Sequence, residues 1–115
     1  MVVAIARIAL SLPGVSSLKQ KRGIVRRVID RTAHRFNAAI AEVEDQDVHR
    51  RAVIGMAVVS NDSRHANSMI DSVVDHAIQV SEVPVIEKST ELVHMSGQWE
   101  RDQLPAWLRD GADNA

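Results

Sequence analysis

Two stretches of the chain are apolar on both faces of an extended strand, and this feature most constrains the fold. Residues 2–12 and residues 50–60 carry β-branched and aliphatic side chains at successive positions and not only at alternate ones. Strands of this kind lie in the interior of a sheet, where both faces are covered. The sequence therefore predicts a sheet in which these two segments are the central strands.

Each of these strands precedes a segment whose apolar residues recur at helical spacing. Ser16 or Ser17 is placed to cap a first helix over about 18–36. Asn61-Asp62-Ser63 offers the same capping chemistry to a second helix over about 63–81. Both helices have one apolar stripe, so each is predicted to pack one face on the sheet.

Two further strands complete the pattern. Residues 37–44 alternate as in a half-exposed edge strand, with Ala39, Ala41 and Val43 opposite Ile40, Glu42 and Glu44. A last strand over about 85–95 follows Pro84. The order strand, helix, strand, strand, helix, strand predicts an α+β domain of ferredoxin-like βαββαβ build, with a four-stranded antiparallel sheet and two helices on one face.

Helices on one face leave the other face of the sheet uncovered. That face would expose apolar side chains of the central strands, and such a patch usually marks an interface. We predict a homodimer, formed sheet to sheet or through an edge strand. The alternative is that a C-terminal tail covers the face within one chain, through Trp99, Leu104, Trp107 and Leu108. The two arrangements are compatible.

Length and composition set the remaining limits. A chain of 115 residues, 45% of them hydrophobic, suits one domain, predicted over residues 1–96, with a flexible C-terminal tail over 97–115. The chain has no cysteine, so we expect a cytoplasmic protein without disulfides or thiolate metal sites. No stretch approaches about 20 uninterrupted apolar residues, and neither a membrane span nor a signal peptide is expected.

Seven of the fourteen basic residues fall in the first helix, against a single acid, Asp30. Cations in the first turns add to the positive end of the helix dipole, and like charges one turn apart repel each other. A bound anion would relieve both effects. The predicted anion- or RNA-binding residues are Ser17, Lys19, Lys21, Arg22, Arg26, Arg27 and Arg31. The alternatives are a solvated helix face, or neutralisation by Glu42, Glu44 or acids of a partner subunit.

The chain is poor in aromatic residues, with no tyrosine, one phenylalanine and two tryptophans. Recognition of single strands by base stacking is therefore not expected. Any contact with nucleic acid would use phosphates and shape, without recognition of DNA sequence.

No catalytic or metal-binding pattern stands out. The five histidines, His34, His49, His65, His76 and His94, form no close ligand pair. Asp71 and Asp75 lie one turn apart beside His76, but carboxylates at that spacing are usually solvated. The chain also lacks nucleophile-elbow and nucleotide-binding motifs. We expect a non-enzymatic protein without catalytic residues, metal or cofactor.

The segment Ser17-Leu18-Lys19-Gln20-Lys21-Arg22 resembles the SLKxKR signature of the bacterial YlxP-like family, whose function is unassigned. The alanine-rich segment at 38–47 and the third strand ending in Ser60-Asn61-Asp62 extend the resemblance over about residues 1–96. The chain departs from the family at Val48-His49, where a tryptophan-containing segment is common.

The resemblance implies a ferredoxin-like fold and a gene beside translation-initiation and ribosome-maturation genes, hence a link to ribosomal RNA. It also implies that Ser17, Lys19, Lys21 and Arg22 are important, without assigning a catalytic role. Two hypotheses follow. The first is an accessory factor that contacts ribosomal or other structured RNA through helix one. The alternative is a homodimeric adaptor whose basic helix meets an acidic protein surface.

Overall fold

A computed structural model describes residues 1–95 and 105–107 of the chain. Its elements confirm the predicted order and differ from the predicted bounds by two residues at most. They are β1 (Val2–Ser11), α1 (Leu18–Arg35), β2 (Ala39–Glu44), β3 (Arg51–Ser60), α2 (Ser63–Ser81) and β4 (Val85–His94). The predicted ferredoxin-like βαββαβ architecture is confirmed.

The four strands form one antiparallel sheet in the order β2-β3-β1-β4. The two strands with apolar residues on both faces, β1 and β3, occupy the centre as predicted and pair over their full length, from Val2 opposite Ser60 to Ser11 opposite Arg51. The first residue of β3, Arg51, lies opposite the last residue of β1, Ser11, so the β2–β3 connection lies at the same end of the sheet as the start of α1.

The core lies between the sheet and the two helices. Even-numbered residues of β1 and β3, including Ile8, Leu10 and Ile54, are fully buried against the helices. Val28 of α1 and Ile70 of α2 face them and are also fully buried. Each such side chain contributes about 1.5–3 kcal/mol through removal from water, so the helix-covered face carries most of the stability.

Both helices begin at the polar residues that the sequence indicated. The Ser17 hydroxyl accepts a hydrogen bond from the Gln20 N–H (3.2 Å), and the Gln20 side-chain oxygen accepts one from the Ser16 N–H (2.8 Å). In α2 the Asp62 carboxylate accepts from the Arg64 N–H (3.0 Å). These contacts satisfy donors that the first turn of a helix leaves free.

A β-bulge changes the predicted pattern of β2. Glu42 pairs with Ile54 and Glu44 with Val53, so Val43 is an extra residue opposite β3. Glu44 therefore points to the uncovered face of the sheet, where it binds Arg7, and does not share a face with Glu42 as alternation predicted. The prediction was wrong here because one inserted residue reverses the side-chain alternation after it.

The uncovered face, which we call the open face, is apolar over much of its area. Large side chains exposed there are Ile5 (37%), Val43 (48%), Val59 (62%) and Val93 (45%). Trp107 is 75% exposed and so is not packed over this face. Trp99, Leu104 and Leu108, and most of the predicted tail, lie outside the described residues. Neither α1 nor α2 has an apolar stretch that would span a membrane.

Candidate nucleic-acid interface

The basic residues of α1 occupy three different environments, although they are close in sequence. At about 100° per residue, a helix distributes consecutive side chains around its axis. Lys21 lies in the buried stripe with Val25, Val28 and Thr32. Arg27 lies against α2, whereas Lys19, Arg22, Arg26 and Arg31 are exposed.

Lys21 is almost completely buried, with 1% of its surface exposed. Its ammonium group donates hydrogen bonds to the backbone carbonyls of Asp45 and Val48 (2.6 Å for Val48) in the β2–β3 connection. Glu42 Oε2 lies 2.8 Å away, close enough for an ion pair although the two atoms are not aligned for a hydrogen bond. Two of the three donors of the ammonium group are thus used by backbone carbonyls, and Glu42 supplies the opposite charge beside it.

The prediction that Lys21 contacts an anionic ligand is therefore corrected: Lys21 joins α1 to the β2–β3 connection. Its position could have revealed this, since Lys21 lies three residues after Leu18 and four before Val25, within the apolar stripe. Glu42 likewise follows Ile40 on the helix-facing side of β2. Two opposite charges at two core positions indicate an internal ion pair, since buried charges are stable only when paired.

Ser17 and Arg27 also have internal partners. The Ser17 hydroxyl caps α1, which accounts for its place in the sequence motif. Arg27, predicted as an anion- or RNA-binding residue, is half-buried and donates from Nη2 to the Ser81 carbonyl (3.1 Å) at the end of α2. This bond satisfies a carbonyl in the last turn of α2 and holds the two helices together.

Three cations remain together on the exposed surface of α1: Lys19, Arg22 and Arg26, which we call the outer row. None of them has an ion-pair partner among the described residues. The row is about 10 Å long, since Lys19 and Arg26 are seven residues apart at 1.5 Å per residue. The first turn of α1 has no acidic residue to offset it.

Arg31 lies apart from the outer row. It lines a shallow groove on the helix side of the domain together with Asp30, His34, Arg35 and His76. His76 contacts the Thr32 hydroxyl (3.3 Å) and the edge of the Phe36 ring. Burial, and to a lesser extent the positive charge of Arg35, lower the pKa of His76. The groove therefore favours a neutral His76 beside the cations of α1.

The acidic residues of α2 do not form an acid–base group with His76. Asp71 and Asp75 line a separate groove with Lys88, Ser89 and Thr90 of β4. His76 instead turns toward Thr32 on α1. Within the described part of the chain, no three histidine or acidic side chains lie close enough to hold a metal ion together.

On the open face, Arg7 lies at the centre of β1 between two carboxylates. It binds Glu44 of β2 (2.8 Å) and Glu87 of β4 (3.4 Å). The hydrogen bond to Glu44, followed by the attraction of both carboxylates, raises the pKa of Arg7. Arg7 thus links the two edge strands across the open face.

Solved structures similar to this chain include the following two. A de novo designed protein with a ferredoxin fold aligns over 87% of this chain and 92% of its own length, with 14% identity and a TM-score of 0.50. A dimeric ferredoxin-like protein from an uncultured marine organism aligns over 84% of this chain and all of its own length, with 12% identity and a TM-score of 0.43. The first of these likenesses supports the fold alone.

Sequence comparison identifies the family. The uncharacterized protein YlxP of Bacillus subtilis (strain 168) is 40% identical over 45 residues, which cover 39% of this chain and 49% of that protein. The alignment thus spans about half the length of this curated relative. The profile of a protein family of unknown function, DUF503, matches residues 3–90. The chain therefore belongs to the DUF503 family, and the predicted resemblance to YlxP-like proteins of unassigned function is confirmed.

Proposed function

We propose that this protein works by binding and not by catalysis, and that its outer row contacts the phosphates of structured RNA. The observation that carries the proposal is the exposure of Lys19, Arg22 and Arg26 on one surface of α1, without an ion pair to any described residue. Arg31 is a flanking contact at most, because it lies in the groove near His76.

Electrostatics of α1 support an anionic partner. Arg22 and Arg26 are one turn apart, and such like-charge pairs destabilise a helix by about 0.2–0.5 kcal/mol. Lys19 lies in the first turn, where the helix dipole already carries partial positive charge. A bound phosphate would remove the repulsion and the unfavourable dipole interaction together.

The described residues favour phosphate contacts over base contacts. The exposed surface of α1 carries no aromatic side chain beside the outer row, and Phe36 is half-buried against His76. Base stacking on an aromatic platform therefore has no support here, whereas Lys and Arg suit backbone contacts. Binding should then depend strongly on salt.

The test is charge reversal of the outer row, combining Lys19→Glu, Arg22→Glu and Arg26→Glu. Lys21 is left intact because it is buried. We expect loss of co-sedimentation with small ribosomal subunits at low salt. With a short fluorescent RNA duplex, affinity should fall on the order of 100-fold, and the slope of log K against log salt should decrease by about 3.

A matched control reverses three exposed cations outside α1, through Arg50→Glu, Arg64→Glu and Lys88→Glu. This variant has the same net charge, so binding should weaken far less if the outer row is the contact. Equal losses in the two variants would mean a general charge effect and would contradict the proposal. Purification from the native cell with and without nuclease distinguishes an RNA partner from the alternative, an acidic protein partner, since only an RNA-bridged complex is lost on digestion.

A second proposal concerns the open face, which we propose to be covered by a second copy of the chain. Exposed apolar side chains of β1 and β3, such as Ile5 and Val59, support it. Four strands about 4.8 Å apart and about 30 Å long give roughly 600 Å² per protomer, or about 1,200 Å² in a symmetric pair. That area reaches the lower bound for specific interfaces.

This proposal is tested by light scattering of the wild type and of Val59→Glu. Val59 is 62% exposed, so the substitution should leave the monomer folded while placing a charge in the interface. Val48→Glu is the control, because Val48 is similarly exposed (45%) but lies in the β2–β3 connection. A monomeric wild type at micromolar concentration, or a Val59→Glu dimer as stable as the wild type, would contradict it.

The two proposed surfaces lie on opposite sides of the domain. The outer row faces away from the sheet, whereas the open face is the side of the sheet without helices. A dimer of this geometry would therefore leave both copies of the outer row accessible. For this reason Val59→Glu should not weaken RNA binding by a single domain, and the two tests are independent.

A further inference from the structure

Gly23 lies in the interior of α1, at a position where the domain itself does not require a glycine. A Cβ built on Gly23 would meet no heavy atom within 4 Å, and its φ angle is not positive. Neither packing nor backbone conformation therefore explains the residue. By contrast, a Cβ on Gly55 would approach a Val43 methyl carbon at 2.9 Å, so packing does explain that glycine.

Glycine is unfavourable in a helix interior, because it increases the conformational entropy of the unfolded chain. An alanine at position 23 would fit the structure and stabilise it. The absent side chain leaves bare helix backbone at the surface, and this allows a closer approach than any other residue permits.

Two cations of the outer row, Lys19 and Arg26, are neighbours of Gly23 on the helix surface. Gly23 lies four residues after Lys19 and three before Arg26, and residues at these spacings are adjacent on a helix surface. It directly follows Arg22. The exposed glycine is thus flanked by Lys19 and Arg26, whereas the side chain of Arg22 projects about 100° away around the helix.

We infer that Gly23 is the point of closest approach between α1 and its partner, where a backbone phosphate of RNA lies against the bare helix and is held by the outer row. This inference rests on the proposed RNA binding and adds a steric requirement to it. Two flexible cations beside an open surface, with Arg22 further around the helix, match a small, tetrahedral, highly charged group. A flat acidic protein surface would be less sensitive to a single methyl group, because carboxylates on flexible side chains can adjust.

The test is a size series at one position, Gly23→Ala and Gly23→Leu, assayed with the same RNA duplex. Both residues favour helix, so the Tm of the free protein should rise by about 3–6 °C for Gly23→Ala. Affinity for RNA should fall several-fold with alanine and further with leucine. The inference predicts that Tm rises while RNA affinity falls. A folding defect would instead lower both.

Asn67→Ala is the matched control. Asn67 is exposed in α2, distant in sequence from the outer row, and alanine should again raise helix stability while leaving RNA affinity unchanged. If charge reversal of the outer row abolishes binding but both Gly23 variants bind as the wild type does, the steric inference fails and the proposed function stands. If charge reversal has no effect on RNA binding, the proposed function fails, and the inference that rests on it fails with it. Unchanged Tm in Gly23→Ala would also overturn the inference, since the glycine would then have no stability effect to explain.

Discussion

Replacement of Lys21 by methionine tests whether this lysine stabilises the domain from within. Methionine preserves most of the aliphatic stem, so packing changes little, but the ammonium group is lost. The carbonyls of Asp45 and Val48 then lose their donor, and Glu42 loses the cation 2.8 Å away. Breaking a buried ion pair by removing one partner costs about 3–5 kcal/mol.

Lys21→Met should lower the free energy of unfolding by about 3 kcal/mol, the lower end of this range. The Glu42 side chain keeps 19% exposure, so water can reach its carboxylate. In a domain of this size that loss should lower Tm by roughly 9–18 °C. The urea midpoint should fall by about 1–2 M. Far-UV circular dichroism follows both transitions, since α1 and α2 dominate the signal.

Two comparisons separate this mechanism from a general effect of losing a charge. Lys19→Met removes an exposed cation from the same helix turn and should change stability by no more than about 0.5 kcal/mol. Adding Glu42→Gln to Lys21→Met removes the unpaired carboxylate and should recover at least about 1 kcal/mol, a coupling that a double-mutant cycle measures. A cost below about 1 kcal/mol for Lys21→Met, or zero coupling with Glu42, would refute the reasoning.

Three further predictions concern other contacts. Ser17→Ala should cost about 1 kcal/mol in urea unfolding through loss of the α1 cap, against little change for the exposed Ser68→Ala. Arg7→Met should leave the urea midpoint almost unchanged, because its two ion pairs are exposed; a clear fall in the midpoint would mean that the open face is buried in the assembly. The folded-state pKa of His76 is lowered from its ordinary 6.5, so the unfolded chain binds the proton more readily. Stability should therefore fall as pH drops below about 6.5, and a pH series with His76→Gln should show a shallower fall.

The fold was predictable from the sequence because its strongest signals are local. Apolar residues on both faces identified β1 and β3 as central strands, and helical spacing after Ser17 and Asp62 identified α1 and α2. The bulge at Val43 was not predictable from the sequence, because a strand of small and β-branched side chains has the same kind of residue pattern with or without one inserted residue. Its consequence is the reversed orientation of Glu44, which provides one of the two carboxylates bound to Arg7.

The candidate site was predictable only in part. A helix with seven cations identified the correct element, but composition does not show which cations point outward. The charge of the first helix turns led to the prediction of Lys21 as an anion-binding residue, although its place in the apolar stripe indicated the core, where a lysine is found only when paired. The position of Lys21 on the helix predicts its burial better than its residue type does. The alternation of β2 likewise places its partner Glu42 on the helix-facing side of the strand.

The motif Ser17-Leu18-Lys19-Gln20-Lys21-Arg22 therefore combines two separate requirements. Ser17 and Lys21 act inside the domain, as helix cap and buried ion-pair partner, whereas Lys19 and Arg22 lie outside it. A charge reversal that included Lys21 would place a second carboxylate beside Glu42 and unfold the domain, and lost RNA binding would then say nothing about the surface. Arg26 continues the exposed row beyond the motif. Reversing Arg26 together with Lys19 and Arg22, and leaving Lys21 unchanged, therefore gives three reversed charges and an intact core. Retained circular dichroism together with lost binding then identifies the surface as the cause.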